Sequence, residues 1–78
     1  MMSLEDEFKV AEEGITFCRN EALSHTLTSS SSDYASFAIK GYAIIERAVF
    51  LAGEYEKYED RLRYLRRIVG DIVSIIPQ

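Results

Sequence analysis

The stretch VFLAGEYEKYEDRLR, Val49 to Arg63, decides the fold. Gly53 is the one residue in it that argues against helix, since glycine is the usual residue just past a helix terminus and the rest tolerate helix well. Around it an apolar spacing of alternating four and three runs without a gap: Phe37, Gly41, Ile44, Ala48, Leu51, Tyr55, Tyr58, Leu62, Leu65, Val69, Ile72 and Ile76. Two architectures follow. If Gly53 ends a helix, the chain is an antiparallel three-helix bundle. If it does not, one helix of about 44 residues, roughly 66 Å long, runs from Asp33 to Ile76, and the fold is a helical hairpin with a long second helix. That seam is too long for the first helix to cover, so the hairpin form demands a partner chain. Ordinary helix lengths favour the three-helix form.

Working outward, residues 33–52 form the second segment of a single 78-residue helical domain. Between Tyr34 and Gly53 the only charges are Lys40, Glu46 and Arg47. At 100° per residue one apolar half-cylinder holds Phe37, Ala38, Gly41, Tyr42, Ile44, Ile45, Ala48, Val49, Leu51 and Ala52, and a second strip holds Ile39, Ala43 and Phe50. A helix with two apolar sides must be sandwiched. Ala38, Gly41, Ile45, Ala48 and Ala52 form the expected self-association face, because small residues there let a second backbone approach. Three charges inside the segment speak against a membrane span, each costing about 2.5–3.5 kcal/mol at mid-bilayer.

The first segment, residues 3–23, places Leu4, Phe8, Ala11, Ile15, Cys18 and Ala22 on a narrow seam and Val10 and Phe17 on a second, smaller strip, with Ser3 as the cap and Asp6 three residues on. Residues 24–32, SHTLTSSSS, keep no helical period, and seven of these nine are Ser or Thr. They read as a connector, with Ser32 or Asp33 placed to cap the next helix. The third segment, residues 55–76, carries Arg63, Arg66 and Arg67 opposite its seam, and Pro77 stops it.

Size and charge narrow the function. A chain this short buries only about 60% of its unfolded surface, and one cysteine gives no internal disulfide, so oligomerisation is the remaining staple. A homodimer completing a larger helical bundle is expected. The start MMSLEDEF is acidic where a leader would be basic, which fits a reducing cytoplasmic setting. Residues 1–33 carry seven acids against Lys9 and Arg19, while residues 61–78 carry four arginines against Asp71. An acidic first helix should therefore lie near a basic last one.

No catalytic, cofactor or metal constellation stands in the sequence. His25 is the sole histidine and has no evident base or orienting partner. Cys18 falls on a seam, where a small buried hydrophobe is expected. Glu54, Glu56, Glu59 and Asp60 lack the histidine of a helical di-metal motif and read as a solvated face pairing with Lys57, Arg61 and Arg63. The five tyrosines and the arginines point to recognition, since both residue types are enriched at binding hot spots. The residues expected to meet a protein partner are Tyr55, Tyr58, Tyr64, Arg63, Arg66 and Arg67. The expected function is that of a small non-enzymatic adaptor, inhibitor or regulatory subunit of bacterial or viral type. The alternative is a nucleic-acid-binding regulator using the Arg61–Arg67 face, which a net charge of -4 opposes.

Overall fold

The computed structural model describes residues 2–24 and 30–75, the side chains of 30–32 excepted. Three helices follow one another: α1 (Leu4–Ser24), α2 (Ser30–Leu51) and α3 (Tyr55–Ile75). Each packs on the other two, giving a bundle of 40 × 22 × 14 Å. This is the three-helix form. α2 runs antiparallel to both neighbours, with Gly41 against Ile15 and Phe50 against Tyr55. α1 and α3 are parallel, with Phe8 stacked on Tyr58 at their N-terminal ends.

Gly53 breaks the long seam. Its φ is +69°, its N–H donates to Phe50 O (3.0 Å), and the N–H of Glu54 donates to Val49 O (3.1 Å). Those two bonds make a Schellman motif, which satisfies carbonyls that the end of α2 would otherwise leave unpaired. A Cβ at Gly53 would meet nothing within 4 Å, so any cost of substitution there is backbone strain alone. Gly53→Ala should therefore lower stability by about 1 kcal/mol, seen as a drop in melting temperature of about 4–8 °C for a domain of this size, and Gly53→Asn should cost less. An unchanged melt for Gly53→Ala would mean that the corner does not depend on left-handed backbone.

The caps also have local causes. Ser3 Oγ accepts from the N–H of Asp6 (3.1 Å), and Glu5, Asp6 and Glu7 lie in the first turn of α1, where negative charge suits the helix dipole. α2 starts three residues earlier than its periodicity implies. Ser32 and Asp33 thus lie inside its first turn instead of before it, because hydroxyl residues and an acid are well tolerated there. Ser24 closes α1, and residues 25–29 of the Ser/Thr-rich connector, His25 included, lie outside the described residues, as do Ile76 and Pro77.

The core takes Phe8, Ile15, Cys18 and Ala22 from α1, and Ala35, Ala38, Ile45 and Val49 from α2. α3 adds Tyr58, Leu62, Leu65, Ile68 and Ile72. The division of labour is physical: α3 supplies mostly bulky side chains, while alanines on α2 let its neighbours approach closely. Cys18 is buried, and burial pushes its thiol above the ordinary pKa, so it behaves as a small hydrophobe.

Candidate protein-binding surfaces

Within α2 the four-three seam divides. Ala35, Ala38, Ile45 and Val49 are buried, but Phe37 (66% exposed), Ile44 (70%) and Leu51 (76%) face solvent. Those three lie on the edge of α2 that borders α1. They are joined there by Met2, Val10 and Phe17, each about half exposed. Two shallow apolar depressions run between the helices: one lies among Met2, Val10, Ile44 and Ala48, the other among Val10, Phe17, Phe37 and Gly41. They share Val10 and Gly41, so the two form one continuous face along α1 and α2. At about 150–250 Å² for an aromatic side chain and somewhat less for an aliphatic one, the six large side chains leave on the order of 700 Å² of apolar surface, above the roughly 300–600 Å² of a typical monomer's largest patch.

The residues expected to self-associate are split by this geometry. Gly41 and Ala48 line the face, partly covered, and Ala52 is exposed at its end. Ala38 and Ile45, at 1% and 2% exposure, are enclosed by the chain's own core. No second copy can reach those two. Ile39, Ala43 and Phe50 are exposed on the other edge of α2, towards α3, where Phe50 stacks on Tyr55 with ring centroids 4.6 Å apart. That stack half-covers Tyr55.

Tyr58 likewise turns inward. It is 2% exposed, stacks on Phe8 (5.0 Å), and its hydroxyl donates to Glu5 Oε1 (3.1 Å). Burial, then that bond, holds its phenol above the ordinary pKa. It is a core residue and presents nothing to a partner. Sequence periodicity placed Tyr58 on the seam, and the seam of α3 is the core.

The arginines of α3 are largely engaged within the chain. Arg61 Nη1 donates to Glu5 (2.8 Å) and Nη2 to Glu12, while the guanidinium lies 4.4 Å from the Phe8 ring centroid and 5.2 Å from that of Tyr58. The acidic α1 and the basic α3 therefore meet at Arg61. The hydrogen bond from Arg61 is the main reason the Glu5 carboxyl is held at about 2, and its two carboxylate partners raise Arg61 in turn. Arg66 Nε donates to the Tyr42 hydroxyl (3.1 Å), which donates to Glu46 (2.8 Å). Burial raises the Tyr42 phenol. Arg63 pairs along its own helix with Glu59 (3.2 Å) and Asp60 (3.5 Å). Arg67 has no such pair with a described residue, and it shares a shallow surface with Asp60, Arg63 and Tyr64. Tyr64 is exposed. Of the six residues expected at a partner, Arg63, Tyr64 and Arg67 are thus together on the outer face of α3, whereas Tyr55, Tyr58 and Arg66 are held in intramolecular contacts.

Among the described residues no group of three or more His, Cys, Asp or Glu is placed to hold a metal, and no helix is long and apolar enough to cross a membrane. Compared with known protein families, characterised proteins and solved structures, the chain has no significant match. The reading of function rests on its own surfaces.

Proposed function

We propose that this protein is a non-enzymatic protein-binding module, an adaptor, inhibitor or regulatory subunit, that works by occupying a surface of another protein chain. One observation carries the reading. After the three helices have filled a shared core, Val10, Phe17, Phe37, Ile44 and Leu51 remain exposed on a single face. Exposed apolar patches of this extent mark interaction sites in soluble domains. The outer face of α3, with Tyr64, Arg63 and Arg67, is a smaller second contact surface of the residue types that anchor partners. Nucleic acid is the weaker reading, because Arg61 and Arg66 are tied to acids or Tyr42 and Arg63 to Glu59 and Asp60.

A photo-crosslinking side chain at position 37 tests the module. Irradiation in cell extract should give a discrete adduct to a protein chain, lost when Ile44 is also changed to Glu. Ile44→Glu lies outside the core, so circular dichroism should show the helices intact and stability within about 0.5 kcal/mol of the parent. No adduct from position 37 in the otherwise unaltered chain would remove the reading.

A further inference from the structure

We infer that the occupant of the α1/α2 face is a second copy of this chain, docked with α1 of each copy over α2 of the other. This rests on the reading of that face as a binding surface and adds its partner and orientation. The first argument is extent. About 700 Å² of apolar side chain per copy approaches the roughly 800 Å² per partner of a standard interface.

The second argument is charge. At 100° per residue, Asp6 and Glu13 lie just beyond Val10 and Phe17, on the outer rim of α1. Lys40 and Arg47 lie just beyond Ile44 and Phe37, on the outer rim of α2. All four are exposed, and none forms an ion pair with a described residue. The face is therefore mostly apolar, with Glu7 in the depression beside Ala48, Asp6 and Glu13 on one rim and Lys40 and Arg47 on the other. Each rim pair is seven residues apart, two helical turns or about 10.5 Å. Because α1 and α2 are antiparallel, with Gly41 beside Ile15 and Ala48 beside Glu7, Glu13 lies near the level of Lys40 and Asp6 near that of Arg47.

Two-fold symmetry leaves two simple ways to close this face on itself. An axis perpendicular to the helices sets α1 on α1 and α2 on α2, acid against acid and base against base. An axis parallel to the helices sets α1 of one copy on α2 of the other without changing their level along the bundle. Asp6 then meets Arg47, and Glu13 meets Lys40, on both sides of the interface at once. Like charges placed opposite one another oppose the first packing, and complementary rims select the second. Val10, Phe17, Phe37, Ile44 and Leu51 of both copies then form the centre of a four-helix layer, with each α3 on the outside.

The test is solution mass by light scattering across a dilution series, on the whole chain, with helicity followed in parallel. The unaltered protein should run at twice its 8.9 kDa and dissociate on dilution. Lys40→Glu and Glu13→Lys should each weaken the dimer about fivefold, since each alters two symmetric rim contacts of about 0.5 kcal/mol. The two combined in one chain should recover the original dissociation constant within about twofold. Single losses that add, with no recovery, would overturn the orientation. A chain that stays monomeric at every concentration would overturn the second-copy assignment. If that monomer binds a hydrophobic dye at the face, and Ile44→Glu abolishes the signal, the surface still awaits a different protein and the binding-module reading stands. No dye binding would sink both.

Discussion

Phe8→Ala should be the most damaging single truncation, costing about 3–5 kcal/mol. Phe8 is completely buried, its ring stacks on Tyr58 at 5.0 Å, and Arg61 lies over it at 4.4 Å. Removing it leaves a cavity between α1 and α3, unstacks Tyr58 and strips Arg61 of its closer ring partner. A domain of 78 residues has in all about 4–12 kcal/mol of stability. The loss should appear as a large shift of the urea midpoint and, at the low end of that range, as a chain already unfolding in buffer. A midpoint shift below about 1 kcal/mol would contradict the packing described. Tyr58→Ala attacks the same stack from its other side. Loss of partner capture in that variant would report unfolding, whereas Tyr64→Ala, on the exposed face of α3, separates binding from stability.

Arg61→Met carries the second large expectation, and its signature is a dependence on pH. Methionine keeps a flexible apolar stem but removes the bonds to Glu5 and Glu12 and the cation over Phe8, a contact worth about 0.5–1 kcal/mol at a partly exposed site. The melting temperature at neutral pH should fall by about 4–8 °C for each kcal/mol lost. The Glu5 carboxyl, ordinarily near 4.5, is held at about 2 in the fold. A carboxyl depressed on folding stabilises the native state fully above its unfolded value and loses that contribution as the pH falls through the folded one. The gap between parent and Arg61→Met should therefore be widest at neutral pH and narrow from about 4.5 down to about 2. A gap that stays constant over that range would show that Glu5 is not coupled to Arg61.

Much of this fold was legible in the sequence because α1 and α3 are simple. Phe8, Ile15, Cys18 and Ala22 stand on a narrow seam, so periodicity and burial agree. Leu62, Leu65, Ile68 and Ile72 behave the same way, opposite Arg63 and Arg67. α2 is different. Its apolar arc is so broad that periodicity could not separate the half facing the core from the half facing out, and Phe37, Ile44 and Leu51 looked as much like core as Ala38 and Ile45. The distinction needs the angle at which α1 and α3 approach. Tyr58 and Tyr64 illustrate the same limit: six residues apart, they are alike in composition terms and opposite in exposure. The two acidic partners of Arg61 lie on another helix, and only the charge asymmetry between the chain's ends hinted at them.

The Arg61 clamp also makes the bundle uneven along its length. At one end stand the Ser3 cap, the turn at Gly53, two aromatic stacks and a guanidinium tied to two acids. Further along stand the contact of Arg66 with Tyr42 and Glu46 and the edge-on pair of Phe17 and Tyr34, with Ala22, Ala35 and Ile72 in the buried core beside them. Local opening is easiest where contacts are fewest and smallest. The polar and aromatic fastenings described above thus gather near Arg61, where backbone hydrogen exchange should be slowest.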